Sequence, residues 1–142
     1  MALSDIGIVV QGPAEPRGDT LTGNAQPVLR EIRDLLQRLI DSGETGAIDL
    51  RAMPLSDADL LWLAGQLGEG EVQVSLNTDG RSTITETQAP AVWWVTHRNA
   101  KDKVVSEFIE ITWVPDLVAA QREDARLGLA YLDSLILDLS QS

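Results

Sequence analysis

Apolar residues recur at three- and four-residue steps through Val28, Leu29, Ile32, Leu35, Leu36, Leu39 and Ile40. That spacing puts them on one stripe of a helix, with Asn24 placed to cap its start and Gly43 to stop it. A run from Ala47 to Leu50 is long enough for one strand only. Ser56, with Asp59 three positions on, then opens a second helix in the manner of a capping box. The stripe of this helix is Leu60, Leu63, Ala64 and Leu67, Gly68 ends it, and Trp62 falls on the opposite side.

From Glu71 the period changes to two. Val72, Val74 and Leu76 alternate with Gln73 and Ser75, and Thr78-Asp79-Gly80 supplies a turn in which Gly80 can take a positive φ. A three-residue loop there sets Val74 opposite Ile84. The return strand, Arg81 to Gln88, is otherwise polar and suits an edge or a solvated face, and Pro90 breaks the ladder. A second hairpin pairs Ala91 to Arg98 with Val104 to Val114 across Asn99–Lys103. Pairing odd with odd positions gathers Ala91, Trp93, Val95, Val105, Ile109, Ile111 and Trp113 on one side. Trp94, Thr96, Arg98, Ser106, Phe108 and Glu110 fall on the other. Beyond Pro115 the helical period returns, with Ala125, Leu129, Leu132, Ile136 and Leu139 on one stripe that Leu127, Tyr131 and Leu135 widen. So broad a face buries against more than one surface or against another molecule.

The order helix, strand, helix, two hairpins, helix predicts an α+β fold: a mainly antiparallel sheet of two hairpins plus a short strand, with three helices packed on it. Residues 11–23 collect glycine and proline without an apolar period, so residues 1–23 are expected as a flexible leader and 24–142 as one domain. A chain of 142 residues is long enough to bury its own core.

Composition narrows the chemistry. There is no cysteine, which excludes disulfides, thiolate metal sites and a cysteine nucleophile. Twenty-two acidic against eleven basic residues give a net charge of −11, which repels a phosphate backbone or an anionic bilayer. No stretch approaches membrane-spanning length, and the start of the chain lacks a basic leader pattern. A soluble cytoplasmic protein is expected.

His97 is the one histidine, and no nucleophile elbow accompanies it, so no catalytic residue is assigned. One imidazole without thiolates is a poor nickel or zinc set, and the acidic residues lack EF-hand spacing, so no metal or cofactor site is assigned. Leu67-Gly68-Glu69-Gly70-Glu71-Val72 runs from helix into strand and carries two glutamates, the reverse of a phosphate loop. Four of the six aromatic residues are tryptophan. The adjacent pair Trp93 and Trp94 must point to opposite faces of a strand. Either both are covered, or Trp94 with Phe108, Arg98 and Glu110 forms an exposed patch for a protein partner.

The segment PAVWWVTHRNAKDKVVSEFIEIT, residues 90–112, resembles the signature of the HupH/HyaF family of hydrogenase expression proteins. The stretches VLREIRDLLQRLIDSGE, IDLRAMPLS and LGEGEV agree with it in order and spacing. Members of that family are longer than this chain, and the likeness is to their C-terminal part. The resemblance implies an accessory role in maturing a nickel-iron hydrogenase. The chain would be a chaperone or scaffold binding the immature small or large subunit, alongside other maturation proteins. The alternative it leaves open is a metal or cofactor carrier, or an enzyme, in cofactor assembly. It supplies no catalytic residue; Trp93, Trp94, His97, Arg98 and Glu110 match the signature and, with Phe108, are the candidate partner-binding residues. A homodimer through the wide C-terminal helix is compatible with that role.

Overall fold

The computed structural model describes residues 17–141. Helix α1 spans Ala25–Ser42, strand β1 Gly46–Asp49, helix α2 Asp57–Leu67 and helix α3 Arg122–Ser140. Between α2 and α3 lie β2 (Gln73–Asn77), β3 (Arg81–Glu86), β4 (Val92–Arg98) and β5 (Val104–Ile111). The class is α+β, with one five-stranded antiparallel sheet in the order β1-β5-β4-β3-β2. Strands β2 to β5 form a meander in which each pairs with the next, and β1 adds to the free side of β5.

The helix ends follow from local chemistry. Gly43 adopts φ 78° and returns its N–H to the Leu39 carbonyl, closing α1 as only a residue without Cβ does cheaply. In α2, Ser56 and Asp59 make the reciprocal capping box. Val28, Ile32 and Leu39 of α1, with Leu63 and Leu67 of α2, bury against Ile48, Leu50, Val92, Ile109 and Ile111. Each such side chain contributes about 1.5–3 kcal/mol of transfer free energy. Truncating the fully buried Leu63 to alanine costs about 2–5 kcal/mol by the same logic plus a cavity.

Several expectations change in the fold. The β2–β3 loop has the expected three residues and Val74 faces Ile84, but Gly80 is not among the glycines with positive φ. Glycine is needed there for space, since a Cβ would sit 2.0 Å from the Arg98 carbonyl oxygen. Ala91 lies in the left-handed region at φ 74°, so β4 begins at Val92. Trp62 is half-buried and packs against the main core, because the start of α1 and residues 21–23 lie over it. Helix α3 stands where the pattern puts it, yet no residue of it is buried; the helices packed on the sheet are α1 and α2.

Most of the expected leader, residues 1–16, lies outside the described residues. Its last part is fastened to the domain. The Arg17 guanidinium donates to the carbonyls of Leu50, Arg51, Met53 and Leu55 at 2.7 to 3.2 Å. It thereby satisfies a loop that has few backbone partners of its own. Thr22 donates through its N–H and its hydroxyl to Asp59 at 2.9 and 2.5 Å. The fully buried Asp59 carboxylate also accepts from the Ser56 N–H at 2.9 Å. The Thr22 hydroxyl above all, then the N–H groups of Ser56 and Thr22, outweigh burial and bring this carboxyl from 3.8 down to about 2. No helix among the described residues is long and apolar enough to cross a membrane.

Candidate functional site

The hairpin β4–β5 carries every candidate residue, and one extra residue decides where each of them points. Arg98 pairs with Val104, which continues the odd-with-odd pairing expected from a five-residue loop. The next pair is His97 with Ser106, so Val105 has no opposite number and forms a bulge. Beyond it Val95 faces Phe108, Trp94 faces Ile109 and Trp93 faces Glu110. The odd-with-odd register is therefore wrong over most of the hairpin. A one-residue slip exchanges the two faces of a strand, and the loop length alone gave no sign of it. Arg51, from the loop that Arg17 organises, donates to the Val105 carbonyl.

The corrected register separates the candidates. Trp93, His97, Phe108 and Glu110 share the face turned away from α1 and α2. There Trp93, Val95, Phe108 and Ile84 form a second apolar cluster. The Trp93 indole N–H donates to the Thr112 carbonyl at 3.0 Å, and Phe108 is fully buried. The His97 ring lies 5.7 Å from that of Phe108, and its Nδ1 is 2.6 Å from the Ser82 hydroxyl. Burial lowers the pKa of this imidazole. Glu110 is buried beside Trp93; burial first, and then the negative charge of Asp116, raise its carboxyl above the ordinary range. Arg98 sits at the bulge and pairs with Asp102 at 3.7 Å, which Arg81 also approaches at 3.5 Å.

Trp94 turns to the helix side. Its indole N–H donates to Glu107 Oε2 at 2.9 Å, and the Thr96 hydroxyl reaches the same oxygen at 3.3 Å. The expected patch of Trp94 with Phe108, Arg98 and Glu110 is not assembled, because Phe108 and Glu110 lie through the sheet from Trp94. What Trp94 does join is a groove. Helix α2 stops at Gly68, whose φ of 64° turns the chain away, while the sheet runs on through β3. There the helix-facing row is polar, Thr83 and Thr85. With Thr87, Thr96, Trp94 and the α2 end at Gly68 and Glu69, that row bounds a cavity of about 220 Å³. The polar return strand thus supplies a solvated face rather than an edge, since β3 lies inside the sheet. The threonines were visible in the sequence as an alternating row, but only their position beside Trp94 gives them interest.

Chemically the groove offers hydroxyl donors and acceptors, one flat indole and the Glu69 carboxylate. Among the described residues, no three of histidine, cysteine, aspartate and glutamate are grouped so as to hold a metal ion.

Comparison with known proteins places this geometry. The family described as HupH hydrogenase expression protein, C-terminal conserved region, matches residues 22–138. The hydrogenase expression/formation protein HoxQ of Azotobacter vinelandii is 33% identical over 103 residues, covering 71% of this chain and 36% of that protein. HupH of Rhizobium leguminosarum bv. viciae is 33% identical over 118 residues, 83% of this chain and 40% of its own length. The chain therefore spans well under half the length of these relatives. A solved structure, the hydrogenase expression protein HupH from Thiobacillus denitrificans, superposes with a TM-score of 0.81 at 47% identity. It covers 84% of this chain and 99% of the other.

Proposed function

From the premise that the chain belongs to the HupH hydrogenase expression protein family, through its C-terminal conserved region, we propose that it serves nickel-iron hydrogenase maturation without catalysing a reaction. In this reading it is a cytoplasmic chaperone or scaffold that holds an immature hydrogenase subunit through a segment laid in the Trp94 groove. The observation that carries the reading is the likeness to a solved hydrogenase expression protein over nearly all of that protein's length. A binding role is further supported by the state of the chain's one imidazole. It is half-buried between the Ser82 hydroxyl and the Phe108 ring, and among the described residues no carboxylate is hydrogen-bonded to it to orient it as a general base.

Co-purification with immature small and large subunits, in a host expressing the hydrogenase operon, tests it. One subunit is expected to be retained by the wild-type chain and lost from Thr85→Arg, which fills the groove with a half-exposed side chain and leaves the core alone. Retention of neither subunit by the wild type sinks the reading. Retention undiminished in Thr85→Arg moves the contact away from the groove.

A further inference from the structure

Helix α3 is nineteen residues long and none of them is buried. Leu129, Leu132 and Ile136 are 61, 54 and 61% exposed, Leu127 and Tyr131 more so, and Trp113 in the preceding segment is 59% exposed. Apolar surface on α3 and the segment before it amounts to on the order of 1,000 Å², against roughly 800 Å² that each partner contributes to a stable standard interface. Folded monomers rarely leave so large a contiguous patch in water. A helix apolar over so much of its circumference is one that is meant to be covered.

We propose that α3 is the dimerisation element of this protein and that its occupant is α3 of a second copy, running antiparallel. Three features of the helix select that occupant. Its seam advances Ala125, Leu129, Leu132, Ile136, Leu139 in alternating steps of four and three, the heptad spacing that lets two helices keep one stripe in contact. The stripe is self-complementary about a two-fold axis between residues 130 and 131. Leu129 then faces Leu132 of the second copy and Ala125 faces its Ile136, so the smallest seam residue meets a β-branched one. The charges flanking the seam give the direction. Arg126 and Asp133 are one heptad apart on the same flank, and only an antiparallel pair brings Arg126 of one chain beside Asp133 of the other, twice. A parallel pair sets that flank against Gly128 and Leu135, which offer no charge. Leu127, Tyr131 and Leu137 lie off the seam. None of this depends on the role given to the Trp94 groove.

The chain has no cysteine, which makes a thiol test clean. Eleven residues separate Ala125 from Ile136, about 16 Å along a helix, far beyond the roughly 4.4–6.8 Å between the Cα atoms of a disulfide. Under mild oxidation, Ala125→Cys alone and Ile136→Cys alone are expected to stay uncrosslinked, and their mixture to give a covalent dimer. Crosslinking of each variant with itself, or no crosslink in the mixture, overturns the antiparallel pairing. In solution, light scattering of the wild type is expected to give twice the chain mass at tens of micromolar. The double variant Leu132→Glu, Ile136→Glu is expected to raise the dissociation constant at least a hundredfold. Arg126→Glu weakens the pair about tenfold, and adding Asp133→Arg restores it. A wild type that stays monomeric overturns the proposal and leaves α3 to a different protein. A dimer indifferent to both sets of variants overturns it by placing the interface elsewhere.

Discussion

Trp93 and Trp94 are one residue apart and separated by the thickness of the sheet. Trp93 is buried and its indole N–H is satisfied by the Thr112 carbonyl. Trp93→Ala is therefore expected to cost about 3–5 kcal/mol in urea unfolding, and Trp94→Ala, which empties a groove wall open to water, clearly less. Equal losses would show that the groove side belongs to the core. Asp59 and Glu110 are both buried carboxyls and respond to pH in opposite senses. Asp59 is depressed in the fold from 3.8 to about 2. Its contribution is fully present above about pH 4 and is lost as pH falls through that interval. Asp59→Asn should lower the urea midpoint at pH 7 and flatten the decline of stability between pH 4 and 2. Glu110 is raised above 4.5, first by burial, so its ionised form is penalised in the native state at neutral pH. Glu110→Gln should unfold at higher urea than the wild type at pH 7. The two should converge as pH drops towards 4.5, where the wild-type carboxyl also becomes neutral. A Gln variant less stable at pH 7 would mean that the carboxylate has a charged role in the native state.

The Val105 bulge is the element-scale feature on which the candidate residues depend. Deleting Val105 removes the residue without a partner and leaves Ser106 opposite His97, Glu107 opposite Thr96 and Phe108 opposite Val95, so every side chain beyond it keeps its face. That variant is expected to keep the sheet signal in circular dichroism and to unfold at lower urea, since it loses the buried Val105 side chain and the carbonyl that Arg51 holds. One glycine added within Asn99–Lys103 should change the unfolding free energy by less than about 1 kcal/mol, since lengthening a loop adds little closure entropy. An unfolded Val105 deletion would show that the hairpin needs the bulge itself and not only the pairing beyond it. Arg51, which holds the bulge carbonyl, and Arg17, which holds the Arg51 loop, connect the start of the domain to this hairpin through hydrogen bonds.

Protomer and dimer separate at the scale of the whole molecule. If α3 pairs with a second copy, folding and association are linked, and the melting temperature rises with protein concentration by mass action. Wild-type protein should show that dependence over a hundredfold dilution, and Leu132→Glu, Ile136→Glu should not, while keeping the sheet signal in circular dichroism. The same scale holds the family relation. Residues 22–138 match the conserved region, so all of α3 but its last two residues falls within the matched span. Its apolar surface belongs to the part of the chain shared with relatives rather than to an unrelated tail.

Much of this protein is dictated by sequence alone because it is local. The caps at Gly43 and Ser56, the alternation that makes β2 and β3, and the three-residue turn between them depend on side chains within a few positions of one another. Each was legible without a fold. The resemblance carried by residues 90–112 was legible for a different reason, since it rests on identity and spacing rather than on energetics. Tertiary structure decided what depends on contacts distant in sequence. A single bulged residue chose the face of every β4–β5 side chain, and with it divided Trp94 from Phe108 and Glu110. Arg17 was read as leader because its partners lie more than thirty positions away. The groove exists because α2 ends before the sheet does, which no hydrophobic period records. The period of α3 did announce a wide apolar face, but only the fold showed that none of the residues of α3 is buried by the other described residues, since burial is a property of neighbours and not of the helix that carries it.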